Sequence, residues 1–158
     1  MDFKNKVVLI TGASSGIGKQ TAIEFAKLGS NIILVARRKD KLEQVENELK
    51  QFNVTTLICP CDVSKKDQVE IMSKTVLEKF NFVDILVNNA GFAIYGSVLD
   101  LSIEEIESQM ETNYFGMIYC TKNFLPLMLK KKSGHVVNVA SVAASFGLPG
   151  IASYCASK

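Results

Sequence analysis

Apolar, β-branched residues recur along this chain in short runs that lack a regular alternation of apolar and polar positions. Four such runs span residues 7–10, 32–36, 83–87 and 136–140, and a more mixed run spans 55–59. Strands without a polar face are typical of a parallel sheet that is covered on both sides. The pattern therefore predicts five strands, and it predicts that both faces of the four apolar strands are buried.

Segments with a helical spacing of apolar residues separate these runs. Helices are predicted over about 16–28, 42–49, 69–80 and 103–131. The apolar stripe of the first helix consists of Ile17, Ala22, Phe25, Ala26 and Leu28. Ser102 and Glu105 have the spacing of a capping box at the start of the longest helix. Alternating strands and helices predict an α/β fold, a doubly wound parallel sheet, and the length favours one domain over residues 1–158.

The composition excludes several classes of protein. Of the 158 residues 47% are hydrophobic, which is enough for one core, and 18 Lys and Arg against 16 Asp and Glu leave a net charge of only +2. A general nucleic-acid binder carries a larger basic footprint. The chain shows neither the apolar core of a signal peptide nor the roughly 20 apolar residues of a membrane span. We therefore expect a cytoplasmic protein with no nucleic-acid partner and no membrane span.

The four cysteines are Cys59, Cys61, Cys120 and Cys155, and none of them forms the C-x-x-C spacing of a zinc site. Cysteine is also a small apolar residue that is often buried in proteins of reducing compartments. We interpret all four in this way and expect no metal.

A glycine-rich turn, T-G-A-S-S-G-I-G at residues 11–18, follows the first predicted strand and leads directly into a helix. In such a turn Gly12 permits the tight bend, Gly16 lets the backbone approach a pyrophosphate, and Gly18 lets the helix pack closely. The unpaired amides of a helix N-terminus also attract an anion. The turn therefore predicts phosphate binding, although a purely structural strand-to-helix corner can have the same residues.

Tyr154 and Lys158 are four residues apart, so on one helix they face the same side. An ammonium close to a phenol stabilises the phenolate, and the pair therefore predicts an acid/base device. Ser141 follows the fifth predicted strand, at the end where parallel sheets bind ligands, and its hydroxyl can donate a hydrogen bond to a substrate oxygen. The alternative is that Ser141 only caps a helix or a turn.

Two further motifs complete a set that occurs in a fixed order. They are Asn88-Asn89-Ala90-Gly91 after the fourth strand and Asn113 in the long helix. Together with T-G-x-x-x-G-x-G and Y-x-x-x-K they resemble, along the whole chain, the compact single-domain branch of the short-chain dehydrogenase/reductase family. The larger branch typically shows T-G-x-x-G-x-x-G, which this sequence does not fit.

The resemblance implies roles for individual residues. Tyr154 is expected to donate or accept the proton, Lys158 to assist it and to hold the nicotinamide ribose, and Ser141 to orient the carbonyl. Asn113 is expected to support a water that relays protons to Lys158. The residues expected to contact the cofactor are Gly12, Ser14, Ser15, Gly16, Ile17, Gly18, Arg37, Arg38, Asp62, Val63, Asn89, Ala90, Gly91, Tyr154 and Lys158.

Two of these positions carry alternatives. Asp62 and Val63 resemble the pair that meets the adenine ring, although Asp62 is equally compatible with the N-cap region of the next helix. The position where a ribose-binding acid is expected holds Arg37 and Arg38 instead. Arg37 can form a bidentate pair with a 2′-phosphate, so we expect NADP, with NAD as the second choice. The alternative is a solvated basic turn, with Asp40 in the following helix.

The segments 92–95 and 145–150 flank the expected substrate pocket and are largely apolar, which favours a hydrophobic carbonyl compound. The same residues are also compatible with a packed core. The resembled family continues beyond the Y-x-x-x-K motif, so we expect these residues to be the N-terminal portion of a longer domain. We expect that the C-terminal part of the fold is missing, that these residues alone catalyse poorly, and that the full-length form is a homo-oligomer.

These observations predict an oxidoreductase that transfers a hydride between NADP(H) and a carbonyl or secondary alcohol. The alternative is a non-catalytic dinucleotide-binding or interaction module.

Overall fold

The five predicted strands form one parallel sheet in the computed structural model, which describes residues 2–158. The strands are β1 (Val7–Thr11), β2 (Asn31–Ala36), β3 (Thr56–Pro60), β4 (Ile85–Asn88) and β5 (His135–Asn138). Their spatial order is β3-β2-β1-β4-β5, and every pair is parallel. The order reverses between β1 and β4, which is the point where open α/β sheets bind ligands. The prediction of a doubly wound parallel sheet is confirmed.

Helices connect the strands. They are α1 (Gly16–Lys27), α2 (Lys39–Leu49), α3 (Lys66–Phe80), α4 (Ile103–Met110), α5 (Gly116–Lys131) and α6 (Ala152–Ser157), with short 3-10 turns at Lys50–Phe52 and Val142–Ala144. The predicted capping box starts α4: Glu105 N donates to Ser102 Oγ at 3.2 Å, and Ser102 N donates to Glu105 Oε2 at 2.9 Å. A π-helical turn, Glu111–Phe115, joins α4 to α5, so the predicted helix 103–131 is continuous but not uniform.

Each face of the sheet has its own apolar core. On one face, β1, β2 and β4 pack with α3 and α5 through residues such as Leu9, Val76 and Phe124. On the other face they pack with α1 and α2 through residues such as Ile32 and Leu42. Because both faces of the central strands are covered, these strands need no polar side, which is the pattern that the sequence shows.

The predicted burial is wrong for two elements. In α1, Ile17 is 67% exposed and Leu28 is also exposed, because the helix packs on the sheet through small residues, namely Gly18, Ala22 and Ala26. In β5, Val137 is 45% exposed and His135 is also exposed. This strand pairs only with β4 and is the edge of the described sheet, so its faces are only partly covered.

Three of the four cysteines, Cys59, Cys61 and Cys120, are buried, as predicted, whereas Cys155 is half-buried. Burial raises the pKa of the Cys59 thiol to about 11 and that of the Cys61 and Cys120 thiols to about 12. These thiols are therefore protonated and apolar at neutral pH. Within residues 2–158 no cluster of His, Cys, Asp and Glu has the composition of a metal site. None of the helices described there is both long and apolar enough to cross a bilayer.

Candidate active site

The glycine turn between β1 and α1 is braced by the residues after β4. Gly12 and Gly16 have φ values of +67° and +55°, a region that favours glycine. Thr11 Oγ1 accepts hydrogen bonds from Asn89 N at 2.9 Å and from Ala90 N at 3.0 Å, and Asn89 Nδ2 donates to Thr11 O at 2.9 Å. The 88–91 motif therefore fixes the turn at the point where the strand order reverses.

The start of α1 is prepared for an anion. Its N-cap, Ser15, makes no side-chain hydrogen bond to the helix, and the first turn contains no acidic residue. A Cβ at Gly16 would meet no other atom within 4 Å, so the backbone there is open to a ligand. Unpaired amides at a helix N-terminus attract phosphate. The turn therefore suits the pyrophosphate of a dinucleotide.

Gly18 has a different position from the other predicted cofactor residues, because it does not line the cavity described below. A Cβ at Gly18 would overlap Gly12 O and would lie 2.5 Å from Asn89 Nδ2. Because Gly18 has no side chain, α1 can approach the glycine turn closely. This is the packing role that the sequence predicts for Gly18. Its contribution to a cofactor site is therefore indirect.

Gly18→Ala is expected to lower the free energy of unfolding by about 1–3 kcal/mol, because the new methyl group displaces backbone rather than a flexible side chain. Gly147→Ala is the matched control, since a Cβ at Gly147 meets nothing within 4 Å. Urea unfolding of both variants measures the difference. Equal midpoints would show that the turn tolerates the methyl group.

One cavity of about 440 Å³ brings together almost all of the predicted cofactor residues. It is lined by Gly12, Ser14, Ser15, Gly16, Ile17, Arg37, Arg38, Asp62, Val63, Asn89, Ala90, Gly91, Tyr154 and Lys158. These residues come from the carboxyl ends of several strands and from α6, far apart along the chain. Thr112 and Val139 also line the cavity, and no motif in the sequence marks them as cofactor residues.

Lys158 extends from the end of α6 towards β5. Its Nζ donates to Val139 O at 2.8 Å, and partial burial lowers the pKa of its ammonium. The half-buried Tyr154 lines the same cavity as Lys158. The structure therefore brings both members of the Y-x-x-x-K motif to one site, with a backbone carbonyl that holds the lysine.

Ser141 does not line this cavity. Its hydroxyl oxygen accepts a hydrogen bond from Ala143 N at 3.2 Å and so caps the 3-10 turn Val142–Ala144. This contact is the one described by the alternative interpretation, a turn hydroxyl. It uses an oxygen lone pair and leaves the hydroxyl proton available, so the role of Ser141 towards a substrate stays a prediction.

Asn113 lies in the π-helical turn and is buried. Its Oδ1 accepts from Phe92 N at 2.9 Å, and its Nδ2 donates to Phe92 O and to Ser157 Oγ, each at 2.8 Å. It borders, with Lys158, a second cavity of about 280 Å³, where the buried Asn88 Oδ1 has no hydrogen-bond partner among residues 2–158. Its predicted role in a water relay stays a prediction.

The residues near the end of β2 and β3 differ in their contacts. Asp62 Oδ1 accepts from Ser64 N and Ser64 Oγ at 3.0 and 2.8 Å, in the turn before α3, whose N-cap is Lys65 rather than Asp62. The side chains of Arg37 and Arg38 are exposed, and neither forms an ion pair within the part of the chain that the structure describes. Both guanidinium groups are therefore available to a ligand.

The two segments predicted to flank a substrate pocket lie together at the surface. Gly96, which directly follows the first segment, donates its backbone N–H to Gly150 O at 2.8 Å and so ties the two segments together. Tyr95 is 80% exposed, and Phe146 and Leu148 are also exposed, whereas Phe92 and Ala93 line the cavity of about 440 Å³. The alternative interpretation, a packed core, does not describe these three exposed side chains.

Known proteins share this arrangement. The sequence profile of the family described as short chain dehydrogenase matches residues 6–158. The dehydrogenase/reductase SDR family protein 7-like of Anopheles gambiae is 40% identical over 158 aligned positions, which cover 97% of this chain and 50% of that protein.

Solved structures are also similar. An NAD⁺-bound xylitol dehydrogenase has a TM-score of 0.95 at 31% identity, over 100% of this chain and 61% of that one. A metagenomic short-chain oxidoreductase in complex with NADP has a TM-score of 0.96 at 31% identity, over 100% of this chain and 72% of that one.

The chain spans about half the length of the curated relatives it matches. Within that span the family profile, the relatives and the solved structures all match nearly every residue of the chain. This chain belongs to the short-chain dehydrogenase/reductase family.

Proposed function

We propose that this chain carries the cofactor site and the acid/base residues of an oxidoreductase that uses NADP(H) to interconvert a carbonyl compound and a secondary alcohol. One observation supports the proposal above others: the glycine turn, Arg37, Tyr154 and Lys158 line a single cavity at the reversal of the strand order. A dinucleotide with its phosphates at the turn and its nicotinamide end near Tyr154 is compatible with that order of residues.

The residues at the nicotinamide end have separate tasks in this proposal. The bound cofactor supplies or accepts the hydride. Tyr154 gives a proton to the carbonyl oxygen, or takes one from the alcohol, through its hydroxyl. The Lys158 ammonium, held by Val139 O, favours the phenolate form of Tyr154 and binds ribose hydroxyls. Ser141, at the carboxyl end of the β5 segment, orients the substrate oxygen through its hydroxyl proton.

The choice of NADP rests on Arg37. The structures similar to this chain include complexes with NAD⁺ and with NADP, so family membership alone leaves the choice open. Here the cavity wall after β2 carries two exposed guanidinium groups, which form no ion pair with residues 2–158, and it carries no carboxylate. A guanidinium binds a phosphate through two parallel charge-assisted hydrogen bonds, whereas a ribose 2′-hydroxyl is preferred by an acid.

Arg37→Asp is expected to lower NADPH affinity by about ten- to hundredfold and to raise NADH affinity, because a favourable charge pair with the 2′-phosphate becomes a repulsive one. Lys41→Asp is the control, since it makes the same charge change on α2 outside the cavity wall. Calorimetric titration of both cofactors gives the affinities. Equal affinity of the unmodified protein for NADPH and NADH would contradict the choice of NADP.

A hydrophobic substrate is proposed from the exposed apolar side chains of the 92–95 and 145–150 segments, Tyr95, Phe146 and Leu148, since the first segment also contributes Phe92 and Ala93 to the cavity lining. Apolar residues around a few polar groups are typical of small-molecule sites. NADPH oxidation by the full-length natural protein, measured over a panel of apolar and polar ketones and aldehydes, tests both the reaction and the substrate class. Turnover restricted to polar compounds would contradict the substrate class.

The second candidate, a non-catalytic dinucleotide-binding module, is favoured by the position of Ser141, whose hydroxyl contacts its own turn and lies outside the cavity. Tight cofactor binding without turnover on any member of the panel would support it. A cytoplasmic location and a homo-oligomeric full-length form are also proposals, and fractionation and light scattering test them.

A further inference from the structure

Two amides of one helix meet two serines of another beside the Y-x-x-x-K motif. Gln109 and Asn113 are four residues apart at the end of α4 and in the π-helical turn, and Ser153 and Ser157 are four residues apart on α6. Gln109 Nε2 donates to Ser153 Oγ at 2.9 Å, and Asn113 Nδ2 donates to Ser157 Oγ at 2.8 Å. Each serine directly precedes a residue of the motif, so the two bonds form a ladder along it.

The first bond of this ladder is made by Gln109, a side chain that no sequence motif marks. Gln109 is 0% exposed. Its Oε1 accepts from Ile94 N at 3.0 Å, and its Nε2 also faces Glu105 O at 3.5 Å. One buried amide thus ties the residue before Tyr154 to the 92–95 segment, whose first two residues line the cavity. Removing a buried amide that is hydrogen-bonded at both ends costs free energy, because its former partners stay buried and no water reaches them to replace the lost bonds.

Besides the bond from Gln109 to Ser153, the start of α6 has one weaker side-chain contact, in which Cys155 Sγ donates to Phe146 O at 3.6 Å. Its N-cap, Ile151, makes no side-chain hydrogen bond, and Ser153 lies in the first turn. The orientation of the first turn determines where the Tyr154 ring points, because Tyr154 follows Ser153 directly. Catalytic groups require placement to a fraction of an ångström, so a bond at this position acts on chemistry more than on the fold.

We propose that Gln109 is a positioning residue of the active site, which acts through Ser153 on the Tyr154 ring and through Ile94 N on the wall of the cavity. The inference rests on the proposed acid/base role of Tyr154. Gln109 itself touches neither substrate nor cofactor: it does not line the cavity.

The test uses four variants of the full-length natural protein: Gln109→Met, Ser153→Ala, Ser153→Thr and the double variant of Gln109→Met with Ser153→Ala. Gln109→Met removes the bonds to both Ser153 Oγ and Ile94 N, and it is expected to lower kcat about tenfold and to leave NADPH affinity within about twofold. Ser153→Ala lowers kcat by less, since it keeps the bond to Ile94 N. Ser153→Thr keeps the hydroxyl and restores kcat.

The double variant separates positioning from two independent effects. If Gln109 acts through Ser153, the double variant has the kcat of Gln109→Met alone, because the shared bond is lost only once. Gln44→Met, on the exposed side of α2, is the matched control and leaves kcat unchanged. The inference is overturned if Gln109→Met keeps kcat within twofold of the unmodified protein, or if the double variant loses the product of the two single-variant factors in kcat. It is also overturned if Ser153→Thr has a kcat as low as that of Ser153→Ala.

Amide hydrogen exchange provides a readout that needs no turnover. Gln109→Met is expected to speed exchange in 92–95 and 153–158 together, and to leave exchange in α2 unchanged. If Gln109→Met does not fold, the pair Ser153→Ala and Ser153→Thr decides the matter through exchange in 153–158 alone. If the unmodified protein oxidises no NADPH, the proposed function fails, while unchanged exchange in both segments would overturn the positioning role independently.

Discussion

Tyr154→Phe is expected to lower kcat by about 10²–10⁴-fold and to leave NADPH affinity nearly unchanged. The ring that lines the cavity is retained, and only the hydroxyl that is proposed to transfer the proton is lost. General acid/base catalysis contributes on that scale, so the effect exceeds what loss of one ordinary hydrogen bond produces.

Tyr119→Phe on α5 is the matched control, because that ring stacks on Phe115 outside the cavity. It is expected to keep kcat and stability unchanged. Steady-state NADPH oxidation and calorimetric titration of both variants give the comparison. A Tyr154→Phe protein that retains most of its kcat would assign the proton transfer to another group.

Lys158→Met is expected to lower kcat by a comparable factor and to weaken cofactor binding. It is also expected to change the free energy of unfolding by an amount that depends on pH. Partial burial lowers the pKa of Lys158 from its ordinary value of 10.5, because the ammonium loses hydration on folding. Between the lowered pKa and 10.5 the unfolded chain binds more protons than the folded one. The contribution of Lys158 to the free energy of unfolding therefore rises with pH between these two pKa values. Below the lowered pKa, the full cost of burying the charged ammonium is present.

The measurable consequence is the difference in unfolding free energy between the unmodified protein and Lys158→Met, followed from neutral pH upwards. This difference is expected to move in favour of the unmodified protein as the pH approaches 10.5. Lys122→Met, an exposed lysine on α5, controls for the loss of a surface charge and has no such trend. A pH-independent difference would show that Lys158 pays no burial cost, and unchanged turnover would remove it from the site.

The sequence predicts the sheet and the glycine turn well because their signals are local. A strand such as β1 is an unbroken apolar run because both its faces are covered, and Gly12 and Gly16 occupy backbone conformations that glycine prefers. The exposure of β5 has no comparable local signal, because its position at the edge of the described sheet depends on which strands pair.

The side-chain partners of the site have no such signal. Gln109 and Ser153 are separated by 44 positions, and nothing in the amphipathic pattern of α4 marks a glutamine that faces another helix. Val139 acts through its carbonyl, which every residue has. Hydrophobicity predicts that Ile17 and Leu28 belong to the buried face of α1, whereas the small residues Gly18, Ala22 and Ala26 form the face that approaches the sheet. Tertiary contacts of this kind can be identified only when the fold is known.

The π-helical turn Glu111–Phe115 gives one continuous helix two directions of contact. Before the turn, α4 presents Gln109 to α6, and after it α5 presents Cys120, Phe124 and Met128 to α3 and the sheet. Each residue of an α-helix advances the azimuth by about 100°, so the wider turn resets the phase between the two faces. Removing one residue from 111–115 would keep both halves helical and rotate one against the other. The π-helical turn thus sets the angle between the half of the helix that packs in the core and the half that contacts the helix carrying Tyr154.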